Sequence, residues 1–220
     1  MSGPLALVGG GEWRDGCSFD RGLLDAVGAD EVVVLPTGSA YEHPQRLVDA
    51  ATAWFDGLGV RTRGLMVVGR SDALDRANVD VVRGARFVYL AGSSPMHLRS
   101  VLKDSPLWDA ILEGWDGGMA LAGSSAGAMV LCDPMVDPRG GAFTLGLGLL
   151  EGMTVIPHHD TWSEEKEHRT LQLAPKGLIV AGVDERTALV RAAGGSWQVE
   201  GAGDVTAWRD GVEIALAELP

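Results

Sequence analysis

The chain has 220 residues, of which 46% are hydrophobic and 22% charged, and its formal net charge at pH 7 is −12. These values are typical of a globular protein with a sizeable core, and the acidity argues against a protein that binds nucleic acid, which would carry a basic excess. Two cysteines outside any CxxC motif exclude a disulfide framework. The N-terminus lacks a signal-peptide pattern and no stretch has the length of a membrane span, so we expect a cytoplasmic protein that binds no membrane.

Apolar runs typical of strands alternate along the chain with amphipathic stretches typical of helices. The predicted strands are LALV at 5–8, EVVVLPT at 31–37, RGLMVVG at 63–69, ARFVYLAG at 85–92, GMALAG at 118–123 and GLIVAGV at 177–183. The predicted helical stretches between them are 19–29, 43–59, 75–85 and 94–116. Continuous apolar strands alternating with helices favour a mostly parallel sheet covered by helices on both faces.

The segment at 187–214 is different, because its short strands are separated by glycine-containing turns. This pattern predicts antiparallel hairpins at one edge or end of the sheet. No linker divides the chain, so we expect residues 1–220 to form one α/β domain.

The stretch MALAGSSAGAMVL at 119–131 contains the pattern G-x-S-x-G, with Ser125 at its centre. Small flanking residues allow a sharp turn from strand to helix, which places the serine hydroxyl above the carboxyl end of the sheet. The N–H of Ala126 would begin the helix and face a developing oxyanion. Close packing alone would also use these small residues, and Ser124 is a competing nucleophile. We favour Ser125 because it occupies the central position of the motif.

A nucleophilic serine needs a base, and the base needs an acid that orients it. His158 and His159 follow the apolar segment MTVIP at 153–157, and Glu185 follows the predicted strand at 177–183. The order Ser, His, Glu differs from the order Ser, acid, His of the α/β-hydrolases, and therefore argues against that fold.

The sequence predicts no metal and no cofactor. Neighbouring histidines on a strand point to opposite faces, so His158 and His159 are poor ligands for one ion. The segment GGGE at 9–12 has neither the spacing of a dinucleotide-binding motif nor the lysine of a P-loop.

Six motifs occur in order over most of the chain: LVGGGE at 7–12, LPTGSA at 35–40, VYLAGSSP at 88–95, GSSAGA at 123–128, IPHHD at 156–160 and GVDERTAL at 182–189. As a set they resemble the cyanophycinase and α-aspartyl dipeptidase family of serine peptidases. The resemblance implies a flavodoxin-like fold of the class I glutamine amidotransferase type, with a mostly parallel sheet sandwiched by helices and C-terminal antiparallel hairpins.

The resemblance also implies roles for individual residues. Ser125 would be the nucleophile, His158 the base with His159 as its alternative, and Glu185 of the DERTA segment the acid. In the aspartyl dipeptidases the acid comes instead from the loop after the elbow helix. That loop contains two alternative acids, Asp133 and Asp137.

An oxyanion hole and a substrate-binding surface follow from the same resemblance. The oxyanion hole would combine the N–H of Ala126 with that of Gly92 or Ser93. Three further residues are expected to bind substrate: Ser94, His159 and Arg169.

Two segments depart from the family pattern. AGSSP at 91–95 replaces a G-G-[ND]-Q segment, and the segment at 161–171 has one arginine where cyanophycinases have an arginine array. We therefore expect a serine peptidase or amidase that acts on a small or acidic peptide through an acyl-enzyme, and the family suggests a homodimer. Two alternatives stay open. One is a non-catalytic binding member of the superfamily, with a Ser–His distance too long for a hydrogen bond, and the other is a hydrolase of small esters or amides.

Overall fold

Strands and helices alternate along the residues that the computed structural model describes, 1–139 and 141–220. The strands of these residues are β1 (Leu5–Val8), β2 (Glu31–Gly38), β3 (Arg61–Gly64), β4 (Phe87–Gly92), β5 (Ala120–Ser124), β6 (Cys132–Asp133), β7 (Met135–Val136), β8 (Phe143–Thr144), β9 (Leu150–Glu151), β10 (Met153–Pro157), β11 (Ile179–Val183), β12 (Thr187–Arg191), β13 (Trp197–Gly201), β14 (Val205–Arg209) and β15 (Val212–Ile214). The α-helices are α1 (Phe19–Val27), α2 (Pro44–Gly57), α3 (Arg70–Leu74), α4 (Arg76–Arg83), α5 (Pro95–Leu102), α6 (Pro106–Asp116), α7 (Ala126–Leu131) and α8 (Glu164–Leu173). Two 3-10 helices cover His159–Thr161 and Leu216–Glu218.

The central sheet has seven strands in the order β13-β12-β1-β5-β4-β2-β3. The five strands β1, β5, β4, β2 and β3 are parallel to one another. β12 pairs antiparallel with β1, and β13 pairs antiparallel with β12. Helices α1 and α2 pack on one face, and residues of α3 to α7 pack on the other. The predicted architecture, a mostly parallel sheet between helices with C-terminal antiparallel strands, is confirmed.

The alternating burial of β1 shows how one strand serves both layers. Leu5 and Leu7 belong to the apolar core on one face, and Ala6 and Val8 belong to the core on the other. All four side chains are fully buried, as a continuous apolar run predicts for a central strand.

A second sheet, of four strands, has the order β10-β11-β14-β15. The apolar run at 177–183 forms β11 there, parallel to β10, instead of joining the central sheet. The sequence predicts that β11 is buried on both faces, and it is. Ala181 and Val183 belong to the core of the central sheet, and Val180 belongs to a smaller apolar cluster on the other face. Hydrophobicity reports burial but not the sheet to which a strand belongs.

Two element boundaries differ from the prediction. The strand predicted at 63–69 is β3, which ends at Gly64, and Val67 is buried in an irregular segment whose carbonyl accepts a bond of 2.7 Å from Thr37 Oγ1. The helical stretch predicted at 94–116 is divided into α5 and α6. Asp104 has a positive φ of 52°, and Pro106 begins the second helix.

Within the two described ranges, no helix has both the length and the apolar character required to cross a membrane.

Candidate active site

The elbow predicted at Ser125 is present as a sharp turn between β5 and α7. Ser125 has φ 51° and ψ −110°, a conformation that a non-glycine residue adopts only when its surroundings impose it. A Cβ atom on Gly127 would lie 2.2 Å from the Leu90 carbonyl oxygen, and one on Gly123 would lie 2.5 Å from the Gly127 carbonyl carbon. The small residues therefore serve close packing and the turn together.

A continuous hydrogen-bonded chain joins Ser125, His158 and Glu185. Ser125 Oγ lies 2.9 Å from His158 Nε2, and His158 Nδ1 lies 2.8 Å from Glu185 Oε1. Because the carboxylate can only accept, it fixes the proton on Nδ1 and leaves Nε2 free to accept the serine proton. Each of the His158 and Glu185 side chains is 36% exposed, so the site is open to a small molecule.

The end of β1 and the loop after it are hydrogen-bonded to the three segments that carry these residues. The nucleophile is on the central sheet, the histidine follows β10 of the second sheet, and the glutamate lies on the connection between β11 and β12. Consecutive main-chain carbonyls of the β1 end accept one bond from each segment: Val8 from the Ser125 N–H at 2.9 Å, Gly9 from the His158 N–H at 2.7 Å, and Gly10 from the Arg186 N–H at 2.7 Å.

A cavity of about 140 Å³ opens beside the serine. It is lined by Ser93, Ser125, Met129, Pro138, Pro157, His158, Trp162 and Lys166. A larger cavity, of about 440 Å³, lies near Arg83, Arg86 and Gly118 and contains none of the Ser–His–Glu residues. We place the site in the smaller cavity because the reactive groups converge there.

Lys166 is a lining residue that the sequence analysis missed. Its Nζ lies 3.6 Å from the centroid of the Trp162 ring, and partial burial lowers the pKa of the ammonium group. Trp162 lies before α8 in extended conformation, and Lys166 is in the first turn of α8. The sequence carries no signal that separates this lysine from other lysines on polar helices. Arg169, predicted to bind substrate, is exposed on α8 and does not line the cavity.

The predicted oxyanion residues follow the ends of β5 and β4, which are neighbours in the central sheet. Ala126 begins α7, and Gly92 ends β4 with φ 126°, so close to β2 that a Cβ atom on it would lie 2.3 Å from the Gly38 carbonyl carbon. The Ser93 N–H donates to the Gly38 carbonyl at 3.3 Å, and Ser93 lines the cavity. Ser94 does not line it, because its Oγ caps α5 by accepting a bond from the His97 N–H.

The structure directs His159 away from the serine. Its Nε2 lies 2.7 Å from Glu167 Oε2, its Nδ1 lies 3.6 Å from Asp184 Oδ1, and its ring centroid lies 5.4 Å from that of Trp208. Of the two histidines, His158 alone is hydrogen-bonded to Ser125 among the described residues.

The alternative acids are also occupied elsewhere. Asp137 pairs with Arg139 at 2.7 Å, and this hydrogen bond lowers the pKa of the carboxyl group. Asp133 Oδ1 accepts a bond of 3.4 Å from the Gly146 N–H. The carboxylate that His158 contacts is that of Glu185.

The serine lies on a turn between a strand and a helix at the edge of an α/β sheet, and it is hydrogen-bonded to a histidine that contacts a carboxylate. This arrangement is of the serine-hydrolase type. The model of peptidase family S51 matches residues 5–197, and the chain belongs to this family. The family resemblance predicted from the sequence is thereby confirmed.

Relatives and solved structures agree with this assignment. The chain is 28% identical over 196 residues to a cyanophycinase from Synechococcus elongatus, which covers 84% of this chain and 59% of that protein. It is 26% identical over 217 residues to a cyanophycinase from Trichormus variabilis, covering 92% of this chain and 72% of that one. The chain thus spans about three fifths of the length of the first of these relatives.

A solved peptidase from an acI-B1 Actinobacterium superposes with a TM-score of 0.85 and 32% identity, covering 98% of this chain and 97% of that one. A putative peptidase E protein from Listeria monocytogenes EGD-e superposes with a TM-score of 0.66 and 17% identity, covering 95% of this chain and 99% of that one, and this likeness concerns the fold alone.

Proposed function

We propose that the chain is a serine peptidase or amidase in which Ser125 is the nucleophile, His158 the base and Glu185 the acid. The observation that carries the proposal is the hydrogen-bonded chain of 2.9 Å and 2.8 Å through these side chains. Membership of peptidase family S51 supports it. The alternative of a non-catalytic binding protein required a Ser–His distance too long for a hydrogen bond, and the observed distance argues against it.

The proposed reaction has two halves. Ser125 Oγ attacks the acyl carbonyl carbon while its proton passes to His158 Nε2, and the Glu185 carboxylate stabilises the resulting imidazolium. The N–H of Ala126 stabilises the oxyanion together with that of Gly92, since the Ser93 N–H donates to the Gly38 carbonyl. His158 then protonates the leaving amine as the C–N bond breaks. In the second half, His158 accepts a proton from the water that attacks the acyl carbonyl carbon, and returns it to Ser125 Oγ as the acyl C–Oγ bond breaks, which releases the acid.

We propose a small acidic peptide as the substrate. The cavity of about 140 Å³ is of a size that suits a short acyl side chain. Lys166 is the cationic group among its lining residues, and an ammonium group can donate hydrogen bonds to a substrate carboxylate. The names of a relative, cyanophycinase, and of the solved structure at 32% identity, a peptidase, support a peptide bond as the target.

A fluorophosphonate probe tests the proposal, since it forms a covalent adduct with an activated serine. We expect the wild type and a Ser100→Ala control, altered at an exposed serine of α5, to acquire one adduct on the peptide that contains Ser125. Ser125→Ala should acquire none. An unlabelled wild type, or labelling that survives in Ser125→Ala, would contradict the proposed nucleophile. Hydrolysis of p-nitrophenyl esters without hydrolysis of acidic dipeptides would instead support the small-ester alternative.

A further inference from the structure

We propose that Glu12 is a positioning residue for the nucleophile elbow and acts through Ser124; this inference rests on the function proposed for Ser125. Ser124 is the last residue of β5 and is fully buried. Its Oγ donates a hydrogen bond of 2.7 Å to Glu12 Oε2, across 112 positions of the sequence. The mechanism proposed above uses neither side chain.

The hydrogen bond acts on the residue directly before a strained one. Ser125 has a positive φ of 51°, and such a strained conformation persists only where the surrounding structure imposes it. The Ser125 N–H is held by the Val8 carbonyl at 2.9 Å. The Glu12–Ser124 contact adds a side-chain bond to this main-chain bond, so the chain is fixed on the strand side of the turn.

The Glu12 carboxylate serves the hydrogen bond to Ser124 and no ion pair among the described residues. Glu12 takes part in none of the ion pairs formed by residues 1–139 and 141–220. Its negative charge also contributes to the raised pKa of the buried Asp20. A carboxylate in this position strengthens a hydrogen bond, because bonds to an ionised acceptor are about twice as strong as neutral ones.

Glu12 belongs to the loop that already contacts the other two candidate residues. The Gly9 carbonyl holds the His158 N–H, and the Gly10 carbonyl holds the N–H that follows Glu185. Loss of the Glu12 carboxylate would leave the Ser124 hydroxyl buried without its partner. Ser125 would then be free to relax its backbone, and Ser125 Oγ would move away from His158 Nε2.

The test is the second-order rate of fluorophosphonate labelling at Ser125, measured on folded protein together with kcat and KM. We expect Glu12→Ala and Ser124→Ala each to lower the labelling rate and kcat by about 10- to 100-fold, with KM nearly unchanged. Glu12→Gln keeps an acceptor for the serine and should stay within about threefold of the wild type. The double variant should be no slower than the slower single variant, because both changes break one contact.

Glu213→Ala, at an exposed position of β15, is the matched control and should label like the wild type. Wild-type rates in Glu12→Ala or Ser124→Ala, additive losses in the double variant, or a Glu12→Gln variant as slow as Glu12→Ala would overturn the positioning role and leave Ser125 as the nucleophile. A wild type that does not label at Ser125 would overturn both. If Glu12→Ala does not fold, Ser124→Ala and Glu12→Gln decide the question.

Discussion

A Cβ atom on Gly10 would lie 2.1 Å from Cε1 of the His158 ring, so the loop after β1 packs with its bare backbone against the imidazole. Gly10 also has a φ of 110°, which L-residues with side chains rarely adopt. The glycine leaves the space in which His158 can face Ser125 on one side and Glu185 on the other.

Gly10→Ala is therefore expected to displace the His158 ring and to lower the labelling rate of Ser125 by about 100-fold, since a misplacement of about 1 Å can have this effect. Gly57→Ala is the control, because a Cβ atom on Gly57 would meet nothing within 4 Å and alanine favours a helix. Labelling rates and urea unfolding should be measured for both. A Gly10→Ala variant with wild-type labelling would show that the ring does not depend on this contact.

Glu185→Gln tests which carboxylate is the acid. An amide in place of the acceptor of His158 Nδ1 no longer fixes the imidazole tautomer or stabilises its cation, and kcat is expected to fall by as much as about 10⁴-fold. Asp137→Asn, which removes the partner of Arg139, should retain kcat within about threefold. A normal Glu185→Gln enzyme with an inactive Asp137→Asn would assign the acid to the loop after α7.

The sequence predicted the fold class and brought forward Ser125, His158 and Glu185, because each follows an apolar strand and strand ends meet at one edge of a sheet. It did not predict that His158 and Glu185 come from a second sheet, since periodicity along β10 and β11 reports burial and not pairing. Lys166 was missed for a related reason: it lies on a polar helix, where a cavity-lining lysine and an exposed one look alike. The Glu12–Ser124 bond joins positions 112 residues apart and has no local signal.

Lys166→Met tests the proposed preference for acidic substrates. Loss of the ammonium group is expected to raise KM for a peptide with an acidic acyl side chain by about tenfold, the equivalent of one hydrogen bond between charged groups. KM for a neutral peptide should change little. Lys176→Met, which alters an exposed lysine that does not line this cavity, is the control. Equal changes for acidic and neutral peptides would remove Lys166 from substrate recognition.

His159→Asn separates the two neighbouring histidines. His159 is bonded to Glu167 and lies beside Asp184, so its loss is expected to lower the free energy of unfolding by about 1–3 kcal/mol and to leave labelling of Ser125 within about threefold. His158→Asn should abolish labelling without a comparable loss of stability. The opposite pair of results would make His159 the base.

Asp20 predicts a pH-dependent contribution to stability. The residue is fully buried, its Oδ2 accepts a bond of 2.9 Å from Trp54 Nε1, and its Oδ1 has no hydrogen-bond partner among the described residues. Burial raises the pKa of this carboxyl group to about 8, and the charge of Glu12 adds to the effect.

Between the unfolded pKa of about 4 and the folded pKa of about 8, the native chain holds a proton that the unfolded chain has released. The stabilisation linked to Asp20 is thus complete below about pH 4, falls as the pH rises, and levels off above about pH 8. Asp20→Asn cannot titrate, so its free energy of unfolding minus that of the wild type should increase with pH by up to about 1.4 kcal/mol per unit, and then become constant.

Urea unfolding between about pH 5 and about pH 9 measures this difference. Asp25→Asn, at an exposed position of the same helix, is the control. If the difference in free energy of unfolding between Asp20→Asn and the wild type does not change with pH, Asp20 is ionised in the folded protein over this pH range. Trp54 and bound water would then stabilise the carboxylate.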